Sequence, residues 1–220
     1  MPTELHLALQ QHYAGDDGEI EVDLGRYRAD VLRDGVIYEI QTGNFAAIRD
    51  KVKALARKQC VVVVYPVPRD KLIVHIDPQT GEELRARKSP KHGRPVDIFA
   101  HLVNMPTAIR AKNVAIEIVI TIQREIRQDD GRGSWRRNGI SLVGHELVEL
   151  LETHRFDSPR DFLSLLPEGL PSPFTVGELA EVGQMRQYLA GKMAYTLCRM
   201  GATKKVGKRG NWILYQAKSR

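Results

Sequence analysis

Apolar residues recur along this chain at two different spacings, and the switches between them outline its elements. Residues 3–13 carry Leu5, Leu9 and His12 at helical spacing, which predicts an opening helix broken by Gly15-Asp16-Asp17-Gly18. Stretches of strand composition follow at residues 20–22, 27–32 and 36–41, and Asp34-Gly35 between the last two is a two-residue hairpin signal. Asn44 is expected to cap a helix predicted over residues 45–58, with Phe45, Ile48, Val52 and Leu55 on one face. Residues 61–67 are apolar throughout, as in a strand covered on both sides. Helix, strands, helix and buried strand in this order predict an α/β fold with a mixed sheet.

The pattern predicts a further strand at residues 71–76, a mobile basic loop at 82–95, a short helix at 97–103 and a long strand at 114–126. A loop or hairpin tip is expected at 128–138, a helix at 143–153 and a short helix from Ser158-Pro159 to Leu165. Residues 167–173, with three prolines and a glycine, read as a linker that divides the chain into units 1–166 and 174–220. In the second unit a short helix from Phe174 leads to a longer one over 184–200, with Met185, Leu189, Met193 and Leu197 on one face. A basic stretch at 203–209 then turns at Gly207 and Gly210 into a strand at 212–215.

Composition narrows the partners. With 42% hydrophobic and 27% charged residues the chain has the makings of a globular core, which removes disordered and fibrous classes. The longest apolar run, residues 60–65, is far too short to span a membrane, and no basic and apolar leader opens the chain, so a cytoplasmic protein without a membrane partner is expected. Cys60 and Cys198 cannot build a disulfide framework and are expected to be buried thiols. The net charge of +6 is unevenly placed: residues 174–220 hold nine Lys/Arg against two acids. A segment of this kind attracts a polyanion, and nucleic acid is the natural one.

Candidate chemistry sits on the hairpin. If Asp34 and Gly35 are the turn, Arg33 pairs with Val36, and counting outward sets Asp30 opposite Glu39. Gln41 shares their face because side chains alternate along a strand. Facing carboxylates repel and require solvent, a base such as Arg28, or a bound cation. Magnesium, which prefers oxygen ligands, would resolve the repulsion. Other constellations fail on spacing. His145 and His154 lie nine residues apart, too far for a zinc-protease pair, and the surrounding segment reads as helix surface. No Walker loop, dinucleotide fingerprint or serine elbow is present, and His75 reads as a core or edge histidine.

The helix, Arg28-Ala29-Asp30, Tyr38-Glu39-Ile40-Gln41, the basic helix and the buried strand together resemble the αβββαβ core of PD-(D/E)XK nucleases, which include Holliday junction resolvases and restriction enzymes. The likeness spans residues 3–67. It implies a restriction-endonuclease-like core, an Mg²⁺ or Mn²⁺ site on Asp30 and Glu39, and Gln41 at the position usually held by lysine. It also implies a third acid from the first helix, which Glu4 would supply, with Glu21 and Asp23 as the other nearby acids. The C-terminal unit resembles a winged helix, with Tyr188, Lys192 and Tyr195 toward DNA and Arg186, Lys204, Lys205, Lys208 and Arg209 on its backbone. Arg28, Arg49 and Lys53 would add phosphate contacts near the core, as would Arg132, Arg136 and Arg137 around Trp135. The expectation is therefore a metal-dependent DNA endonuclease, with RNA open as substrate and a homodimer in keeping with two-strand cutting. A nuclease-like DNA-binding protein without cleavage is the rival, kept open by Gln41.

Overall fold

The computed structural model describes residues 3–135 and 138–218; Arg136 and Arg137 lie outside the described residues. Its frame is one mixed sheet in the order β1-β2-β3-β4-β6-β7, with β5 added alongside β4. The strands are β1 (Glu19–Leu24), β2 (Tyr27–Arg33), β3 (Val36–Ile40), β4 (Cys60–Ile76), β5 (Glu83–Lys88), β6 (Val114–Asp129) and β7 (Ile140–Phe156). The β2–β3 turn forms as its residues require: Asp34 and Gly35 both have positive φ, at 51° and 73°, as in a type I′ hairpin. Arg33 pairs with Val36, Leu32 with Ile37 and Val31 with Tyr38.

Helix α1 (Glu4–Ala14) is capped by the Thr3 side chain and covers one face of the sheet. Leu5, Leu9 and Ala14 pack there on Val31, Ile40, Val62, Val64 and Val119. His12, expected on that face, is exposed; Tyr13 and Ala14 take the inward positions. The opposite face carries α2 (Phe45–Leu55), which Asn44 enters with φ of 35° and without the expected side-chain cap, and the short α3 (Phe99–Leu102), set on Ile37, Val61, Val63, Ile116 and Ile118. The β3–β4 and β4–β6 pairs are parallel, which buries β4 on both sides and explains its unbroken apolar run.

Several expectations are corrected. Residues 143–153 are not a helix: they belong to β7, which runs antiparallel to β6. Three irregularities in that ladder leave Val143, Val148 and Leu151 as extra residues on β7, so apolar positions recur there at three to four residues rather than two. The stretches 61–67 and 71–76 are one strand, β4, with Arg69 extruded at the irregularity between Pro68 and Asp70. The loop at 82–95 contains β5, an edge strand held by β4 and exposed along its length. The turn before residue 165 is a 3-10 helix, Asp161–Leu165. Cys60 is exposed and Cys198 half-buried, Cys60 because it sits at the open start of β4.

Beyond residue 173, α4 (Val176–Val182) starts at Thr175 with a reciprocal cap from Glu178, α5 (Gln187–Met200) ends at Gly201 with φ of 92°, and β8 (Thr203–Arg209) pairs with β9 (Trp212–Ala217). Leu179, Met193 and Leu197 join the same buried cluster as Phe99, Phe162 and Ile116, so the core runs on from the sheet layer into these helices.

Candidate metal centre

The ladder between β2 and β3 gives way where the two acids meet. Instead of a main-chain partner, the amide of Ile40 donates to Asp30 Oδ2 at 2.7 Å, which turns the Asp30 carboxylate across the gap. Glu39 lies beside it, its side chain only 2% exposed. Lys51 of α2 enters from the far side, with Nζ at 2.5 Å from Glu39 Oε2 and 3.9 Å from Asp30 Oδ1. The base that answers the two acids is therefore Lys51. Arg28 is bound instead to Asp23 at 2.9 Å and approaches Glu21 at 3.9 Å.

A second group of donors closes the other side of Asp30. Ligand atoms of His6, Glu21 and Asp30 all lie within 4.8 Å of one another. Glu21 is brought there by a break in β1, where it has φ of 58° between the paired residues Ile20 and Val22. That is a left-handed backbone conformation a glutamate adopts at a cost, of the sort that clusters at functional positions. Gln10, one turn after His6, donates to Glu21 Oε1 at 2.6 Å and to the Asp30 carbonyl at 3.3 Å.

Electrostatics mark this spot as short of positive charge. Burial, then the neighbouring Asp30, pushes the Glu39 carboxyl up to about 7, against the pull of Lys51. Burial also raises Asp30, opposed by Lys51 and by the Ile40 amide. Glu39 Oε1 is buried with no hydrogen-bond partner, and so is Gln10 Oε1. Three carboxylates, answered by the Lys51 ammonium and at 3.9 Å by Arg28 on Glu21 alone, leave a buried oxygen unsatisfied and suit a cation, because an orphaned acceptor at this depth is otherwise costly.

Set against these side chains, the chain's relatives give a name but no activity. Residues 3–157 match the family model described as "Domain of unknown function (DUF8091)". The chain belongs to the DUF8091 family. A protein of Treponema pallidum (strain Nichols), itself described as uncharacterized, is 30% identical over 182 residues, covering 82% of this chain and 72% of that protein. No solved structure matches the chain. His6, Glu21, Asp30, Glu39 and Lys51 all fall inside the DUF8091 segment, and residues 174–220 fall outside it.

Within the DUF8091 segment, Gln41 and Glu4 do not join the cluster. The Gln41 amide donates to the carbonyls of Gly43 and Asn44 and so ties down the entry to α2. Glu4 sits exposed in the first turn of α1, while His6 and Gln10 reach inward. Asp23 is engaged by Arg28 at the exposed end of β1. Arg49 pairs with Asp50 at 3.4 Å, and with Lys53 it lines a cleft beside α2. In the C-terminal segment Tyr188 is exposed, but Lys192 turns to the Ala100 carbonyl at 2.8 Å with its ammonium over the Tyr188 ring. Lys204, Lys205, Lys208 and Arg209 are exposed along β8, and Arg209 bonds Glu178 at 2.6 Å.

Sequence reasoning missed His6 and gave Lys51 no role at the acids. The signal for Lys51 was its phase: three residues after Ile48 and four before Leu55, it interrupts the apolar stripe of α2.

Proposed function

We propose that this chain is a metal-dependent phosphodiester hydrolase acting on DNA, centred on Asp30, Glu39 and Lys51. The observation that carries the reading is the convergence of these three at the opening of the β2–β3 ladder, with Glu39 Oε1 unsatisfied. Asp30 and Glu39, with Glu21 alongside, form an oxygen-rich donor set that fits Mg²⁺ or Mn²⁺. Such an ion, when bound, supplies charge stabilisation at a phosphate and a water of lowered pKa. The chain's residues do the rest. Asp30 is held in place by the Ile40 amide, and Lys51 fixes Glu39 while keeping a cation beside the acids, where a scissile phosphate would sit. Gln41 holds the loop that delivers α2 and thus Lys51. The charge that the motif lacks at Gln41 is brought by α2 instead.

The second reading, a DNA-binding platform without cleavage, is favoured by Gln41 itself, whose amide is occupied by main-chain carbonyls. Cleavage of labelled single-stranded, duplex and branched DNA, with RNA alongside, in Mg²⁺, Mn²⁺ or EDTA separates the two. The hydrolase reading expects metal-dependent cutting that falls by at least roughly a hundredfold in Asp30→Ala and Lys51→Ala, the size typical of removing a charge-stabilising group. Binding without cutting in every metal would leave the platform.

A further inference from the structure

Across α2 from Lys51 the molecule presents a second, separate concentration of charge. Arg49 and Lys53 on α2 and Arg57 just past its end follow one another every four residues, a step of roughly 6 Å along the axis. They line a cleft of about 530 Å³ whose floor is apolar: Val52, Met105, Ala108 and Val114. Thr107 is shared with a neighbouring cleft of about 330 Å³, lined by Arg110, Tyr195, Arg199 and Lys205. Arg110 and Arg199 carry on into a third, of about 460 Å³, that ends at Lys218. The three adjoin one another on the face formed by α2, the turn Ala108–Arg110 and α5.

Charge along this face is left unanswered. Asp50 is the only carboxylate lining the first cleft among the described residues, and it is engaged by Arg49; none lines the other two. Lys53, Arg57, Arg110, Arg199 and Lys205 form no ion pair among the described residues. Like charges one helical turn apart repel, so a row of this kind is held at a cost that an anion would relieve. One small anion would answer only one cleft, whereas the row crosses all three.

We infer that this face is a track for the phosphate backbone of DNA, with Arg110 and Arg199 as the residues that join the DUF8091 segment to the C-terminal helices. The step between cations on α2 is close to that between successive phosphates along one strand. The half-exposed ring of Tyr195 and the apolar floor suit sugars and bases, which an acidic polypeptide does not offer. The inference rests on the reading of the substrate as DNA but not on its cleavage.

The test is the affinity of the full chain for labelled duplex and single-stranded DNA across a salt series in EDTA. Each phosphate interaction removed should reduce the magnitude of the log K against log salt slope by about 0.9 for duplex and about 0.7 for single strand. The triple variant Arg49→Ala/Lys53→Ala/Arg57→Ala is expected to reduce it by about 2 to 3, and Arg110→Ala/Arg199→Ala by about 1 to 2. Melting temperatures should hold, since the exposed Arg49–Asp50 pair contributes little and the other charges removed repel one another. Arg85→Ala/Arg87→Ala on β5 serves as a control of similar charge and should leave the slope alone. Unchanged slopes in both track variants overturn the inference, as does equal competition by polyglutamate at matched charge. Binding through the track without any cleavage would leave it standing and sink the hydrolase; cleavage with unchanged slopes would do the reverse.

Discussion

At Glu39 one carboxyl is held in a buried setting beside a second acid. Its folded-state pKa is raised from the ordinary 4.5 to about 7, first by burial and then by Asp30. A carboxyl raised on folding keeps its proton in the native state longer than in the unfolded state, so stability is full below about pH 4.5 and falls as pH rises to about 7. The decline amounts to roughly 3 kcal/mol at most, at about 1.4 kcal/mol per pH unit. Urea unfolding from pH 4.5 to 8 should show this decline in the wild type and a flatter curve in Glu39→Gln; parallel curves would mean that Glu39 is not held in the dry setting described. The ladder between β2 and β3 stops short of Asp30 and Glu39, but the register that leads to them, from Arg33–Val36 to Val31–Tyr38, was legible in the sequence because a two-residue Asp-Gly turn fixes pairing by counting. Lys51 and His6 were not, because which flank of a helix faces an acid depends on how α1 and α2 are laid on the sheet.

For the elements, the lesson lies in β7. Its apolar residues Val143, Leu147, Leu150 and Leu151 carry helical spacing, yet each irregular step against β6 inserts a residue and shifts the strand's phase. Local periodicity measures one chain alone, and bulges are set by the partner strand. Val143 and Val148 take extra, exposed positions, at 54% and 55% exposure, where a helix would have buried the first of them. Val148→Lys should therefore change stability by no more than about 0.5 kcal/mol, whereas Ile118→Ala, at a fully buried position of β6, should cost about 2 to 5 kcal/mol in chemical denaturation. A large penalty at Val148 would contradict the bulged strand. The strands β1 to β3, the first half of β4 and helices α1 and α2 were readable because their turns are short and their pairing is local or, for the start of β4, because an all-apolar run admits few alternatives; that β4 runs on to Ile76 was not.

Over the whole molecule, the sheet gathers residues from separate elements to make one site. α1 brings His6, β1 brings Glu21, the β2–β3 hairpin brings Asp30 and Glu39, and α2 brings Lys51. Part of the charge surplus that the sequence located in residues 174–220, at Arg199, Lys205 and Lys218, lies in line with the row on α2, because α5 packs into the same core. That continuity could not be read from a linear count, in which the prolines of 167–173 look like a separation. Everything proposed for the site depends on the acids around Asp30 holding a divalent cation. Mn²⁺ binding to the full chain, followed by electron paramagnetic resonance at neutral pH, tests that dependence most directly. The expected result is saturable binding that Mg²⁺ displaces, that Asp30→Asn abolishes and that Glu39→Gln weakens; absence of binding, or binding untouched by Asp30→Asn, would contradict it.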